Sequence, residues 1–277
     1  MTIPKRVLGR TGREVTILGL GGEGVLRSFG RDREAYALIN RALDLGVSYC
    51  ESARAYSGSE SYYGKALKER RRDIFLTSKS HARDRKGALA HLHETLANMQ
   101  TDHLDLWQVH DVREEEELAE IFGPRGAIEA FSEAKQLGKT RFIGVTGHHH
   151  PSIIRTCIER FDFDTVLMPV NPAEPAYKSF IDEVLPLALE KNMGVIGMKV
   201  YFRGFASKLP GYTGMEPFFR FALSHPVTNI VVGCDNVAQL EENIRFAEAF
   251  EPMTEEEQKK LVRDTAVFAR KLLYYKP

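Results

Sequence analysis

Leu18-Gly19-Leu20-Gly21-Gly22-Glu23-Gly24 is the stretch on which the fold turns. An apolar run ending in glycines starts a buried strand, and two architectures begin that way. An open doubly wound sheet uses such glycines to approach a pyrophosphate, and holds the ribose with an acidic residue on a second strand. No clean acidic ligand stands at that distance here, so the glycine-rich turn is weak evidence for that fold. The alternative is the first strand of a parallel barrel. Short apolar runs recur at 47–52, 74–79, 104–110, 142–147, 165–171, 194–200 and 229–234. Amphipathic stretches alternate with them at 33–45, 86–99, 127–137, 180–190, 215–223 and 237–246. In 33–45 the apolar side carries Tyr36, Leu38, Ile39 and Ala42; in 86–99 it carries Leu89, Leu92, Leu96 and Met99. Strands alternating with helices predict an α/β chain of the (β/α)8 TIM-barrel type. Upstream, Arg6-Val7-Leu8 and Val15-Thr16-Ile17 flank a turn at Gly9-Arg10-Thr11-Gly12, which reads as an N-terminal β-hairpin plugging the bottom.

The 277 residues contain no linker or low-complexity segment and read as one domain over 1–277. Lys plus Arg number 38 and Asp plus Glu number 38, a balance that argues against a dedicated nucleic-acid binder. Cys50, Cys157 and Cys234 show no paired spacing, which suits a reducing compartment and offers no metal signature. With no signal peptide and no apolar run long enough to span a bilayer, the expected location is the cytoplasm. Asn236 reads as a helix N-cap, and Thr254-Glu255-Glu256-Glu257 as a capping box. The span 111–126 reads as an irregular insert whose acidic run, 114–117, is a solvated face.

Strand C-termini of a parallel barrel converge on one mouth. Glu51 ends the second strand, Tyr56 follows in its loop, Lys79 closes the third and His110 the fourth. A tyrosine is a poor acid in water. Beside an ammonium and an imidazole it can pass a proton to a carbonyl oxygen, with a carboxylate holding the ammonium in place. A purely structural Lys79–Glu51 pair is the competing reading.

The sequence around these residues resembles the aldo-keto reductase family. Gly46-Val47-Ser48-Tyr49-Cys50-Glu51-Ser52-Ala53-Arg54-Ala55-Tyr56 is similar to that family's tyrosine segment, and Gly58-Ser59-Glu60 with Gly64-Lys65-Ala66-Leu67 to its continuation. Thr77-Ser78-Lys79, Leu106-Trp107-Gln108-Val109-His110 and Phe142-Ile143-Gly144-Val145-Thr146-Gly147 resemble the next three strands. Val232-Gly233-Cys234-Asp235-Asn236, with Leu240-Glu241-Glu242-Asn243, resembles the cofactor segment. The resemblance implies an NAD(P)H-dependent oxidoreductase that reduces an aldehyde or ketone. Tyr56 would be its general acid, Lys79 would lower the tyrosine's proton affinity, Glu51 would pin Lys79, and His110 would orient the carbonyl. The implied cofactor residues are Thr146, Gly147, His148, Asn171, Met198, Lys199, Gly233, Cys234, Asp235, Asn236, Gln239, Glu242 and Asn243. No nucleic acid, membrane or metal is implied, and the relatives are monomers or small homo-oligomers.

The departures are specific. Glu51 replaces the family's Asp, Leu167 its amide-binding glutamine, with Asn171 on the same rim, and Thr146-Gly147 its Ser-Asn pair, with His148 as a candidate replacement. Gln239 stands where many relatives carry the arginine that holds a ribose 2′-phosphate, and Asp235 adds a negative charge. Lys199 and Arg203 are candidate compensating cations, and the family habit favours NADP(H) over NAD(H). His148-His149-His150 reads as a polar rim, because adjacent side chains point apart. Tyr201, Phe202, Tyr212, Trp107 and Tyr62 are candidates for an aromatic wall. Cys50 faces away from the mouth by strand alternation. The short C-terminal segment predicts an open pocket. The alternative function is a nicotinamide-nucleotide redox sensor with little turnover.

Overall fold

The computed structural model describes residues 2–277. Strands β1 (Lys5–Val7) and β2 (Glu14–Thr16) form an antiparallel hairpin. The remaining eight are β3 (Leu18–Gly24), β4 (Tyr49–Glu51), β5 (Phe75–Ser80), β6 (Leu104–Val109), β7 (Thr140–Thr146), β8 (Thr165–Pro169), β9 (Gly194–Met198) and β10 (Asn229–Cys234). They are parallel and close on themselves, β10 pairing with both β3 and β9. The glycine-rich strand is therefore a barrel stave. A Cβ at Gly19 would sit 2.8 Å from the Tyr49 ring, so glycine there admits an aromatic into the interior.

Alternation sorts every stave into two faces. Cys50, Leu76 and Trp107 point outward into the layer beneath the helices, where Trp107 stacks on Phe131 of α5 (Ala127–Gln136) with centroids 3.7 Å apart. Tyr49, Phe75, Leu106, Leu167, Ile196 and Val231 point inward and form a separate apolar cluster with Leu8 and Val15 of the hairpin. The hairpin is thus a plug. Its Gly9 (φ +46) lies so close to Gly194 that any Cβ would sit 2.3 Å from the Gly194 nitrogen. The Arg10 N–H donates to the Asn192 carbonyl at 2.7 Å.

The helices read from sequence are present as α1 (Asp32–Asp44), α3 (Arg85–Asn98), α5, α9 (Glu216–Ser224), α10 (Val237–Glu248) and α11 (Glu255–Ala266). The stretch 180–190 breaks into α7 (Phe180–Glu183) and α8 (Leu185–Glu190), where Pro186 supplies no N–H to continue the ladder. Three helices are missed by the sequence reading: α2 (Ser59–Leu67), α4 (Glu115–Phe122) and α6 (Pro151–Arg160), although α6 buries Ile153, Ile154, Cys157 and Ile158 at helical spacing. The insert at 111–126 is thereby corrected from irregular to partly helical, while its acidic run is an exposed face as expected, the capped first turn of α4, where carboxylates meet the positive end of the helix. A last short helix, α12 (Ala269–Leu272), precedes the C-terminus. Among the described residues no helix is long and apolar enough to cross a membrane.

Candidate active site

The inward parity that places Tyr49, Phe75 and Leu106 at the bottom places Glu51, Lys79 and His110 at the top. Lys79 and Glu51 are 1% and 4% exposed, and the ammonium donates to the Glu51 carboxylate and to the Ser52 carbonyl, the latter at 2.8 Å. The extra methylene of glutamate does not prevent the pairing. The ammonium also stands 4.6 Å from the centre of the Tyr56 ring. His110 meets that ring edge-on at 5.7 Å. All four residues named from the sequence are therefore neighbours.

The electrostatics of this group run partly against expectation. Burial pushes the Tyr56 hydroxyl well above the ordinary tyrosine range, and the carboxylates of Glu51, Glu23 and Asp111 add to the rise; the Arg27 guanidinium opposes them. Lys79 is engaged by Glu51, so its charge does not reverse that balance. Lys79 itself lies below the usual lysine value through burial, against the pull of Glu51. Glu51 is raised by burial despite Lys79. Burial, reinforced by Lys79, holds His110 well below the ordinary histidine value, which keeps it neutral at pH 7. A neutral imidazole can either donate to or accept from a bound oxygen, depending on which nitrogen carries the proton.

Glu23 is a functional candidate that the sequence reading misses, although its parity with Gly19 and Gly21 marks it as the inward residue at the end of β3. It stands 4.0 Å from Lys199 and 2.9 Å from Arg27. Burial raises its carboxyl, but Lys199, Arg27, Arg203 and Lys79 together bring it below the usual value. Arg27 in turn lies 4.9 Å from the Tyr56 ring centre.

A cleft of about 570 Å³ opens from Glu51 and Tyr56 across the ends of β9, β10 and β3. Of the proposed cofactor residues, Met198, Lys199, Gly233, Asp235, Gln239, Glu242 and Asn243 line it. Cys234 is buried beside it and accepts from Asn243. Asn236 is instead the N-cap of α10, accepting from the Gln239 N–H at 3.0 Å. Gln239 is turned back on Asp235, whose N–H it accepts at 2.8 Å. Asn171 is fully engaged elsewhere: Nδ2 donates to the Tyr275 hydroxyl at 2.8 Å and Oδ1 accepts from the Ala173 N–H at 3.1 Å. Thr146 accepts from the Asp111 N–H at 2.8 Å. A Cβ at Gly147 would meet Ile154 of α6 at 2.4 Å, so that glycine serves close packing. His148 stands beside Asp111, with Nε2 3.1 Å from Oδ1. Thr146, Gly147, His148 and Asn171 thus do not line the cleft, although Asn171 Nδ2 also donates to the carbonyl of Lys199, which does.

Of the aromatic candidates, Tyr201 lines the cleft, its hydroxyl donating to Asn243 at 2.6 Å. Phe202, Trp107 and Tyr62 are buried in the core layer, and the Tyr212 hydroxyl donates to Asp264 at 2.6 Å. The short C-terminal segment contributes to the cleft wall. Tyr274 joins the cleft wall under the Arg203 guanidinium, 4.8 Å from its ring centre. Tyr275 is buried against His148, and its hydroxyl donates to Glu174 at 2.7 Å. The Lys276 ammonium donates to the same carboxylate at 2.8 Å and to the Tyr177 and Lys178 carbonyls. A few tail residues close one flank because a buried carboxylate anchors them.

The comparisons agree with this architecture. The chain is similar to an uncharacterised oxidoreductase, YqkF, of Bacillus subtilis: 26% identity, covering 94% of this chain and 96% of the relative. It is 26% identical to an L-galactose dehydrogenase of Arabidopsis thaliana, covering 87% of each. The holo-form structure of aldo-keto reductase AKR11C1 from Bacillus halodurans superposes with a TM-score of 0.80 at 25% identity, covering 95% of this chain and 96% of that one. The model of the Aldo/keto reductase family matches residues 17–210, strands β3 to β9 with the tyrosine, lysine and histidine segments between them, and the chain belongs to that family.

Proposed function

We propose that this protein is a nicotinamide-dependent oxidoreductase that reduces an aldehyde or ketone to the alcohol, with Tyr56 as general acid. The observation that carries the reading is the meeting of Tyr56, Lys79, Glu51 and His110 at the head of a cleft of dinucleotide size. The cleft's residues suit such a cofactor: Lys199 and Arg203 are cations for phosphates, while Glu242, Asn243 and Asp235 offer acceptors for ribose and adenine. A bound reduced nicotinamide supplies the hydride. The protein's own residues do the rest. Tyr56 gives its proton to the carbonyl oxygen as that oxygen becomes an alkoxide and is then reprotonated from solvent. His110, neutral, orients the carbonyl by a hydrogen bond. Lys79 stabilises the tyrosinate formed, and Glu51 fixes Lys79. NADPH is placed ahead of NADH because two cations line the cleft, although Gln239 and Asp235 supply none.

A nucleotide-binding sensor with slow turnover is favoured by one observation, the raised proton affinity of Tyr56 next to a neutralised Lys79. One assay separates the two. Oxidation of NADPH or NADH is followed by absorbance against aldehydes, ketones and dicarbonyls, in wild type and Tyr56→Phe. Oxidation that depends on Tyr56 supports the reductase; cofactor binding with no oxidation by wild type supports the sensor.

A further inference from the structure

The segment 199–204 forms one wall of the cleft, and its backbone is strained. Lys199, Phe202 and Arg203 are all left-handed, with φ of +60, +49 and +54. Residues other than glycine keep that conformation only where their surroundings impose it. Contacts on two sides do so. Toward the barrel, the Tyr201 hydroxyl donates to Asn243 at 2.6 Å and the Lys199 ammonium stands 4.0 Å from Glu23. Toward the end of the chain, the Lys199 carbonyl accepts from Asn171 Nδ2 at 3.3 Å, and the Arg203 guanidinium lies 4.8 Å from the Tyr274 ring centre. Asn171 Nδ2 also donates to the Tyr275 hydroxyl at 2.8 Å, and that hydroxyl donates to Glu174 at 2.7 Å. The Glu174 side chain is fully buried and accepts further from the Lys276 ammonium and the Phe180 N–H, at 2.8 and 2.9 Å. Lys276 directs its remaining donors to the Tyr177 and Lys178 carbonyls, at 2.8 and 2.7 Å. Terminal segments ordinarily fray; this one is tied to a buried carboxylate and, through Asn171, to the strained wall.

From this we infer that Tyr274, Tyr275 and Lys276 are positioning residues for the bound nucleotide. They hold 199–204 in the conformation that presents Lys199 and Arg203 to its phosphates, and so set how tightly the cofactor is kept. The inference rests on the nicotinamide reading of the cleft and deepens it by naming the part of the chain that governs cofactor affinity. Undoing the anchor lets the strained segment relax toward ordinary backbone values and carries the two cations away from the phosphates. Lys79 is held separately, by Glu51 and the Ser52 carbonyl. The effect therefore falls on the nucleotide and spares the aldehyde and the chemical step.

The test measures binding of NADP+ and NAD+ by titration calorimetry, without turnover, and follows the tighter of the two. Wild type is compared with Tyr275→Phe, which keeps the ring and removes the hydroxyl joining Asn171 to Glu174, and with Tyr274→Ala. Glu174→Gln keeps the shape of the anchor, weakens its hold on Lys276, and provides the measurement if a tyrosine variant does not fold. Each tyrosine variant is expected to raise Kd by about tenfold, the scale of one hydrogen bond to a charged group. In steady state the KM for the reduced nucleotide rises in step, while the aldehyde KM at saturating nucleotide holds. Tyr274→Ala is then repeated on Arg203→Ala, and Tyr275→Phe on Lys199→Met. Because the tail acts through those cations, each tyrosine change should add less than about threefold there. Affinities within about twofold of wild type in every tail variant, or losses that multiply in full on the double variants, overturn the inference and leave the reductase intact. So does a rise in aldehyde KM with nucleotide affinity unchanged. If wild type binds neither nucleotide, the nicotinamide reading fails first and the inference falls with it.

Discussion

The bottom and the mouth of this barrel are cut from the same staves by the same alternation, and they could hardly differ more. At the bottom the inward residues are Tyr49, Phe75, Leu106 and Ile196, sealed by Leu8 and Val15, while Leu167 and Val231 of the same cluster reach the floor of the cleft. Four residues or fewer further along the same strands the inward residues are Glu51, Lys79 and His110, joined by Glu23 from β3. The apolar end gains by excluding water and asks little of geometry beyond filled volume. The charged end is costly unless each charge has a partner, and it meets that condition with Lys79–Glu51, Lys199–Glu23 and Lys276–Glu174. Stability and chemistry are thereby assigned to opposite ends, and variants at each should separate cleanly.

The sharpest test of that separation is Tyr56→Phe, expected to lower kcat/KM by about 10²- to 10⁴-fold while the melting temperature stays near wild type. Nicotinamide absorbance and thermal melting read the two quantities, and a matching fall in both would merge the two ends. Leu8→Ala is the mirror image. It empties part of the plug and should cost about 2–5 kcal/mol in denaturant unfolding with kcat/KM unaltered. A large loss of turnover in the remaining folded protein would show that the plug supports the mouth.

The third prediction concerns pH. His148 and His110 are buried neutral, with folded values below the histidine norm of 6.5. Between that norm and about 4 for His148, the unfolded chain binds protons that the folded chain refuses. Stability therefore rises with pH across this window and is lost on acidification, by up to about 1.4 kcal/mol per pH unit for each such group. His148→Asn should flatten the acid limb, whereas Leu8→Ala should shift the whole curve without changing its slope. The smallest effect belongs to Asn236. As an N-cap its change to alanine should cost about 1 kcal/mol and leave nucleotide affinity alone. Weakened nucleotide binding with unchanged stability would return Asn236 to the cofactor site.

Much of the mouth is legible in the sequence because strand parity is strict. Once Lys79 and His110 close their strands on the inward parity, their meeting with Glu51 follows from strands about 5 Å apart. Glu23 obeys the same rule, but the glycines around it draw attention to a phosphate loop instead. The helices α2, α4 and α6 escape for a different reason. Their signals are present in the sequence: α6 opens on Pro151 and buries Ile153, Ile154, Cys157 and Ile158 at helical spacing, and α4 carries a capping box, but the strand-end residues beside them draw the reading first. The roles of Asn171 and Asn236 turn on hydrogen bonds to Tyr275 and Gln239 that nothing in the linear pattern announces.

By itself the sequence determined the barrel, the bottom plug and the residues gathered around Tyr56, since these depend on periodicities of two and 3.6 residues and on which side chains avoid water. The tertiary structure alone decided where each charge goes. It turned Lys79 onto Glu51, anchored the tail at Glu174 across 102 positions of chain, and buried one oxygen of Asp111 against His148. Those outcomes rest on distances of a few ångströms between residues far apart in sequence, and electrostatic energies in a buried site change steeply over that range.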